Sequence, residues 1–199
     1  MRLALFDFDG TITTKDTLIE FIKYTNGIRG YYIGLILLSP MLIRYYFKLI
    51  PNDIAKERMI AYFFRDWSES HFKDRANRYA MSKIDEIVRP EAIEKIEWHK
   101  ARGDKVVIVS ASMECWIKGW SNRYDMELLS TQLEFVGDKF TGRFKTKNCY
   151  GIEKVNRIKN RYNLEDFDYI YAYGDSSGDK EMLSLANESH YKPFRGKLD

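Results

Sequence analysis

Three apolar runs of the chain each end in carboxylates or in a hydroxyl. These polar residues are Asp7 and Asp9, then Ser110, then Asp175 and Asp179. Such side chains are rarely buried inside a strand, so they collect where a strand leaves its sheet. If the strands are neighbours, four carboxylates meet at one edge and raise one another's pKa values unless a cation neutralises them. Several carboxylates with only oxygen ligands suit Mg²⁺, which also accepts an oxygen of a bound phosphate.

The same acids have a simpler interpretation. An aspartate at the end of a strand commonly caps the helix or turn that follows it. The repetition at three strand ends favours a shared site instead. Asp7 and Asp9 are two residues apart and would share one face of an extended chain. A shared metal site requires Asp7 to lie within roughly 8 Å of Asp175, because Mg²⁺ makes short bonds to oxygen.

Alternating strand and helix patterns must position these residues. We interpret residues 3–6, 105–110 and 168–173 as buried strands, and residues 90–103, 113–124, 151–162 and 178–186 as helices. Residues 127–144 read as strands joined by a turn at 136–139, and a last short strand is expected near His190. The alternation predicts an α/β fold with a Rossmann-like open parallel sheet.

A long helical pattern, residues 16–88, separates the first two strands. Asn52 and Asp53 are interpreted as the cap of one helix within it. We expect a helical cap inserted after the first strand, above the carboxyl ends of the strands, where ligands bind in such sheets. The predicted division is a core of residues 1–14 and 89–199 and a cap of residues 15–88.

Composition narrows the class of protein. The 199 residues are 45% hydrophobic, which is enough for a packed core and excludes wholesale disorder. A net charge of +3 is too small to indicate a nucleic-acid partner. Two cysteines, Cys115 and Cys149, make no disulfide framework, and the first apolar run is interrupted at Asp7 before it could form a signal peptide. We therefore expect a reduced, cytoplasmic protein.

The segment from Tyr31 to Ile43 contains thirteen uncharged residues, and no acidic residue occurs between Phe21 and Asn52. Three interpretations remain open: a buried helical hairpin, an interfacial helix that meets a membrane or a lipid-like substrate, and a membrane span. The run is shorter than the ~20 residues that a span needs. The interfacial interpretation predicts peripheral membrane contact through residues 31–50.

Four motifs, in this order, resemble those of the haloacid dehalogenase-like (HAD) hydrolases. They are Asp7-Phe8-Asp9-Gly10-Thr11, Ser110 within residues 108–112, Lys154 within residues 150–154, and Gly174-Asp175-Ser176-Ser177-Gly178-Asp179. The set spans nearly the whole chain. The helical insertion after the first motif is similar to the cap of the phosphoserine phosphatase-like branch, family IB.

The resemblance implies a role for each motif residue. Asp7 would be the nucleophile that forms an aspartyl-phosphate, and Asp9 would protonate the leaving alcohol and then activate water. The implied phosphate-binding residues are Thr11, which would also orient the nucleophile loop, Ser110 and Lys154. The implied Mg²⁺ ligands are Asp7, Asp9 through its main-chain carbonyl, Asp175 and Asp179.

Asp9 separates two chemistries of this superfamily, because its dehalogenases carry no acid two residues after the nucleophile. Phosphomonoester hydrolysis is therefore the main expectation. The alternatives are a phosphotransferase on the same core, and a non-catalytic phosphate-binding or membrane-adaptor protein.

The substrate is left open by departures from the phosphoserine phosphatase pattern. Asp16 stands where those enzymes usually carry a Glu that binds the substrate amine, and Gly178 stands where an Asn is usual. Ser110 is followed by Ala111 and Ser112 rather than by two glycines. The apolar, basic cap segment suits an amphiphilic phosphate, and some family IB members are phosphatidylglycerophosphate phosphatases. Both a phosphoserine-like and a lipid-like phosphomonoester remain candidates.

Overall fold

A computed structural model describes residues 1–195. Its strands are β1 (Arg2–Phe6), β2 (Lys105–Met113), β3 (Glu127–Thr131), β4 (Leu133–Val136), β5 (Lys139–Phe144), β6 (Tyr169–Gly174) and β7 (Glu188–Tyr191). Its helices are α1 (Thr17–Tyr46), α2 (Asn52–Phe64), α3 (Glu69–Ser82), α4 (Pro90–Ala101), α5 (Glu114–Arg123), α6 (Ile152–Arg161) and α7 (Lys180–Leu183). Residues 196–199, which the predicted core includes, lie outside the described residues.

Five parallel strands form the central sheet in the order β3-β2-β1-β6-β7. The predicted α/β fold with an open parallel sheet is confirmed. Phe6 at the end of β1 is in register with Ile108 of β2 and with Tyr173 of β6. The three strands that precede the acidic motifs are therefore adjacent, and their carboxyl ends meet at one edge of the sheet.

Alternate side chains of the strands enter two separate cores. Leu3 and Leu5 of β1 pack in a smaller cluster on the face that α6 and α7 cover. Ala4 and Phe6 point to the other face and join a larger cluster that continues into α1, α2 and α3. Because one apolar core runs from the sheet into the helical insertion, packing holds the insertion against the edge where the acidic residues lie.

Helix α1 begins at a well-made cap. Oδ1 of Asp16 accepts from the backbone N–H of Leu18 at 2.9 Å and from that of Ile19 at 3.2 Å. Gly27 interrupts the helix with a φ of +72°, a backbone conformation that residues with a side chain rarely adopt. The long helical segment predicted between the first two strands is thus present, with a break near its middle.

A buried helical hairpin is the wrong interpretation of residues 31–43. Gly34 and Met41 face inward, but Tyr32, Ile33 and Leu37 are exposed. Helices α2 and α3 contact α1, yet within residues 1–195 these outward apolar side chains remain exposed. No helix within residues 1–195 is long and apolar enough to cross a membrane.

Three boundaries differ from the prediction. The N-cap of α2 is Pro51, and no side chain caps that end, because Asn52 and Asp53 already lie inside the helix. Strand β2 continues to Met113 through an irregular pairing with β3. The last helix is short, a 3-10 turn over Ser177–Asp179 followed by α7, and a capping box of Ser176 and Asp179 marks its start.

Strands β4 and β5, joined by the predicted turn, form an antiparallel hairpin that packs against the helical insertion. The backbone N–H of Phe140 donates to the carbonyl of Trp67 at 3.0 Å, and that of Asp66 donates to the carbonyl of Phe140 at 3.1 Å. The N–H of Phe144 donates to Glu57 of α2 at 2.7 Å. The division into residues 15–88 and the remainder stays a prediction, and this hairpin joins the two parts.

Candidate active site

Asp7 stands at the centre of the acidic edge. Its backbone N–H donates to the carbonyl of Tyr173 at 2.9 Å, which continues the pairing of β1 with β6 by one residue. One carboxylate oxygen from each of Asp7, Asp175 and Asp179 lies within 4.8 Å of the others. The predicted proximity of Asp7 and Asp175 is therefore met.

Lys154 of α6 extends into this cluster and contacts two of its carboxylates. Its Nζ lies 2.6 Å from Oδ1 of Asp7 and 2.6 Å from Oδ1 of Asp179, and its side chain is buried. Burial alone lowers the pKa of Lys154, but the charges of Asp7 and Asp179 outweigh it and raise that pKa. Lys154 therefore stays an ammonium group, which a buried cation does only beside opposite charge.

The two acids at the end of β1 have raised pKa values. Burial raises the pKa of Asp7 to about 7, and Lys154 opposes that rise. Burial, with the charge of Asp16, raises the pKa of Asp9 to about 6, and hydrogen bonds to its carboxylate limit that rise. The structure thus places a second carboxyl group, able to carry a proton near neutral pH, two residues from Asp7.

Asp9 points away from the cluster and toward the start of α1. Its Oδ1 accepts from the backbone N–H of Thr17 at 2.9 Å, and its Oδ2 accepts from the hydroxyl of Ser112. The carboxylate of Asp9 is not part of the group formed by Asp7, Asp175 and Asp179. Any contribution of Asp9 to a metal would come from its main-chain carbonyl, as the resemblance implies.

Ser110 and Thr11 occupy different positions relative to Asp7. Ser110 is buried in β2 and lines the cavity described below; its Oγ accepts from the N–H of Ser112 at 3.0 Å. Thr11 Oγ1 donates to Oδ2 of Asp7 at 3.3 Å and is absent from the cavity wall. This placement fits the orienting role for Thr11 rather than direct contact with a phosphate.

Position 10 requires glycine because the carboxylate of Asp175 lies very close to its backbone. Its φ of +81° is costly for other residues, and a Cβ there would lie 2.4 Å from Oδ2 of Asp175. Without a side chain at position 10, the loop after β1 can lie directly against the loop after β6. This contact brings Asp7 and Asp175 to one point.

Asp179 holds the loop after β6 in shape. Its Oδ2 accepts from the backbone N–H groups of Asp175 at 3.0 Å and Ser176 at 2.9 Å, while its Oδ1 faces Lys154. Burial raises the pKa of Asp179, but Lys154 and these donors outweigh it and lower that pKa. Burial also raises the pKa of Asp175, which accepts from Arg195 at 2.9 Å. Asp179 is thus a structural anion as well as a member of the acidic group.

A cavity of about 330 Å³ opens above these residues. Its floor contains Asp7, Asp9, Ser110, Lys154 and Asp179. Its walls, contributed by α1 and α2, contain Leu18, Ile19, Leu42, Tyr45, Ala55, Lys56 and Met59. The insertion therefore supplies a largely apolar chamber over a polar floor, an arrangement typical of small-molecule sites.

Lys56 is a cavity residue that the sequence analysis missed. Its Nζ donates to the carbonyl of Ala111 at 2.9 Å, so α2 contacts the end of β2 directly. Burial lowers the pKa of Lys56, against the attraction of Asp16 and Asp9. Nothing local in the sequence separates it from the exposed Arg58 two residues later, because only the packing of α2 decides which cation faces inward.

Asp16 and Gly178 are the two departures from the phosphoserine phosphatase pattern that the structure explains most directly. Asp16 caps α1 and also lines the cavity, so the capping role does not prevent its carboxylate from facing a substrate. A Cβ on Gly178 would lie 2.2 Å from the ring of Tyr150, itself a cavity residue. Tyr150 thus fills the space that a side chain at position 178 would need.

The acidic group has the donors that a hard divalent cation requires. All three members offer carboxylate oxygens, with no sulfur or imidazole among them, and their spacing allows one ion to contact each. Asp7, Asp175 and Asp179 could therefore hold Mg²⁺ beside the floor of the cavity. The floor thus combines the carboxylate of Asp7, which contacts the ammonium group of Lys154, with that of Asp9, which lies apart from the acidic group.

Known proteins share both sequence and fold with this chain. The profile of the family described as haloacid dehalogenase-like hydrolase matches residues 4–184. Protein CicA of Caulobacter vibrioides is 34% identical over 197 residues, which are 98% of this chain and 87% of CicA.

Solved structures extend the likeness of fold. A Bordetella pertussis protein of unknown function matches with a TM-score of 0.82 at 22% identity, over 94% of this chain and 88% of that chain. A phosphoserine phosphatase, solved as an analogue of its phospho-aspartyl intermediate, matches with a TM-score of 0.66 at 18% identity, over 94% of this chain and 84% of that chain. From the ordered motifs, the acidic edge and these matches together, the chain belongs to the haloacid dehalogenase-like hydrolase family, with a phosphoserine phosphatase-like fold.

Proposed function

We propose that this chain is a phosphatase that hydrolyses a phosphomonoester with Asp7 as its nucleophile. The observation that carries the proposal is the cavity floor, where Asp7 lies beside Lys154 and within reach of Asp175 and Asp179. A carboxylate alone would repel a phosphate. The ammonium group of Lys154 offsets that repulsion and can donate to the phosphoryl oxygens as charge shifts in the transition state.

The proposed reaction has two steps at phosphorus. In the first, an oxygen of Asp7 bonds to phosphorus, the bond from phosphorus to the alcohol oxygen breaks, and Asp9 gives its proton to that oxygen. In the second, Asp9 takes a proton from water, the water oxygen bonds to phosphorus, and the bond to Asp7 breaks to release phosphate. A carboxyl group with a pKa of about 6 suits both proton transfers near neutral pH.

The metal proposed for this site is Mg²⁺, with Asp7, Asp175 and Asp179 as side-chain ligands and the main-chain carbonyl of Asp9 as a further candidate. Its support is the oxygen-only donor set and the spacing within 4.8 Å. When bound, Mg²⁺ would supply positive charge to the phosphate and to the surrounding carboxylates. Burial raises the pKa of Asp7 to about 7, and a nearby cation would favour its ionised, nucleophilic form.

The proposed substrate is either a phosphoserine-like ester or an amphiphilic phosphomonoester. The fold shared with phosphoserine phosphatases supports the first. The apolar part of the cavity wall, with Leu18, Leu42 and Met59, supports the second, because an apolar chain of a substrate could pack against these side chains. Lys56 and Asp16 are the charged groups that the insertion contributes to this wall.

Replacing Asp7 by Asn tests the proposed nucleophile. We expect Mg²⁺-dependent turnover of an aryl phosphate to be lost, because the amide cannot form the acyl-phosphate bond. The exposed Asp166→Asn is a matched control that should leave turnover unchanged.

Undiminished turnover by Asp7→Asn would contradict the proposed role of Asp7 as nucleophile. Full turnover in the presence of a metal chelator would contradict the proposed metal. Transfer of the phosphoryl group to an added alcohol instead of to water would indicate a phosphotransferase.

A further inference from the structure

The outward face of α1 together with its C-cap residue, from Tyr32 to Phe47, is apolar although it faces solvent. The exposed fractions of its side chains include 70% for Ile36, 62% for Leu37 and 66% for Phe47. Ile36, Ile43 and Phe47 recur at helical spacing on the side opposite Gly34 and Met41, which pack inward, and Leu37 is exposed at the edge of this surface. A contiguous exposed surface of this kind marks a place where something else binds. We call it the α1 face.

The charged residues of the segment between Phe21 and Asn52 all have one sign. Arg29, Arg44 and Lys48 are exposed beside it, and no acidic residue occurs between Phe21 and Asn52. With Lys23 the segment holds four basic residues, so it carries +4 while the other residues (28 basic, 29 acidic) sum to −1. Apolar side chains flanked by cations are the combination that binds the surface of an anionic bilayer.

We propose that the α1 face docks this protein on an anionic lipid bilayer, with the helix lying in the plane of the interface. Ile36, Leu37 and Phe47 would enter the acyl boundary while Arg44 and Lys48 contact lipid phosphates. A second copy of the chain fits the face less well. A two-fold symmetric contact through this face would bring the cations of both copies to one interface, and the segment between Phe21 and Asn52 supplies no acidic residue to pair with them.

The cavity and the α1 face share helix α1, which connects the docking to the proposed reaction. Leu42 and Tyr45 line the cavity, whereas Ile43 and Phe47, on the same turns of α1, point outward. The bilayer would therefore lie beside one wall of the chamber that ends at Asp7. Resting on the proposed phosphatase function, the docked protein would act on the phosphate of an amphiphilic monoester whose tail remains in the bilayer.

Flotation with vesicles tests the docking without any turnover. Wild-type protein should float with vesicles of phosphatidylcholine and phosphatidylglycerol and remain behind with phosphatidylcholine alone. The double variant Ile36→Ser/Leu37→Ser should bind at least about tenfold more weakly, because two apolar side chains no longer enter the bilayer. The variant Arg44→Gln/Lys48→Gln should also bind more weakly, and added salt should reduce wild-type binding.

A matched control replaces exposed apolar side chains elsewhere. Val136→Ser/Met81→Ser removes two such groups far from α1 in sequence and should bind vesicles like the wild type. Circular dichroism and turnover of an aryl phosphate would establish that every variant is folded. Equal wild-type binding to both vesicle types, or binding that neither α1 variant weakens, would overturn the proposal. A wild-type dimer that Ile36→Ser/Leu37→Ser converts to a monomer would also overturn it, in favour of self-association.

The substrate arm compares two phosphates. With a phospholipid monoester in anionic vesicles, Ile36→Ser/Leu37→Ser should turn over at least about tenfold more slowly than the wild type. With a freely dissolved aryl phosphate the two should be equal. If the variant and the wild type turned over the phospholipid monoester at equal rates, the link between docking and substrate would be overturned. Wild-type inactivity on both would overturn the proposed phosphatase function and leave the flotation result standing.

Discussion

Two lysines face the cavity, and their surroundings differ. Lys154 lies between Asp7 and Asp179, and their charges raise its pKa. Lys56 comes from the insertion, binds a carbonyl at the end of β2, and has a pKa that burial lowers. The first is fixed to the acids that it neutralises. The second is held by one neutral acceptor and is therefore the ammonium group freer to bind an anionic part of a substrate.

Replacing Lys56 by Met should lower kcat/KM by about tenfold to a hundredfold, the loss expected for one hydrogen bond to a charged group. The change should appear mainly in KM if Lys56 binds the substrate equally in the ground state and the transition state. Arg58→Met is the matched control, because Arg58 lies on the same helix and is exposed. Steady-state kinetics with both candidate substrates would measure the effect, and equal kcat/KM for the two variants would refute the role.

At the scale of elements, α1 and α2 pack unusually closely at Gly34. A Cβ at this position would lie 2.2 Å from Cζ of Phe63, so the phenyl ring rests directly on the backbone of α1. At Gly30, one turn earlier, an added Cβ would approach only Asn26 Cβ, at 3.3 Å. The two glycines are in one helix and differ in what they contact.

We expect Gly34→Ala to lower the free energy of unfolding by about 1–3 kcal/mol, because Phe63 must move. Gly30→Ala should be neutral or stabilising, by up to about 1 kcal/mol, since Ala is the better helix former. Urea unfolding of both variants would measure this contrast. A Gly34→Ala protein as stable as the wild type would mean that the contact between α1 and α2 is looser than described.

The helices and strands of the sheet were largely predictable, since hydrophobic period and turn residues mark them locally. Helix α6, for example, occupies Ile152–Arg161, within the predicted residues 151–162. The environment of α1 was not predictable, because a run of apolar residues has the same pattern whether a neighbour covers it or not. Lys56 was missed for a related reason: the direction of a helical cation depends on which face of its helix packs.

The motif residues could be placed because their order and spacing resemble a family pattern. Asp7, Ser110, Lys154 and Asp179 all reach the cavity floor. The contact of Thr11 with Asp7 rather than with the cavity depends on the exact path of the loop after β1. Residue types alone do not determine such a path.

Across the whole molecule, a buried polar network joins α4 to the sheet. His99 is fully buried, with Nδ1 2.8 Å from Asp104 Oδ2 and Nε2 2.9 Å from the Tyr173 hydroxyl. Burial lowers the pKa of His99, although Asp104 opposes the change. In the neutral ring Nδ1–H donates to the carboxylate and Nε2 accepts from the tyrosine.

This network should make the stability of the protein depend on pH. Unfolded His99 has an ordinary pKa of about 6.5 and gains a proton below it, while the folded residue with its lowered pKa does not. Because the unfolded state then binds more protons at this residue, the contribution of His99 to the free energy of unfolding falls as the pH falls through that range, by at most about 1.4 kcal/mol per pH unit for one proton. The raised pKa values of Asp7 and Asp9 contribute in the opposite direction, so the effect of His99 is read from the difference between the wild type and a variant.

Urea unfolding at about pH 5.5 and about pH 7.5, on either side of the ordinary histidine pKa, would measure the dependence. In His99→Gln, the free energy of unfolding at the higher pH minus that at the lower pH should be smaller than in the wild type, even if the variant is less stable at both. The exposed His71→Gln should preserve the wild-type difference. An unchanged difference in His99→Gln would show that other groups cause the acid sensitivity.

The attachment of the β4–β5 hairpin to α2 and α3 determines how the insertion could be exchanged between relatives. Phe135 and Phe140 of the hairpin each lie 5.9 Å from the ring of Phe72 in α3, measured between ring centres. A chimera that transplants only residues 15–88 would leave these two rings without their native partner. A viable exchange has to carry residues 133–144 as well, so the exchangeable unit consists of two pieces that are distant in the chain.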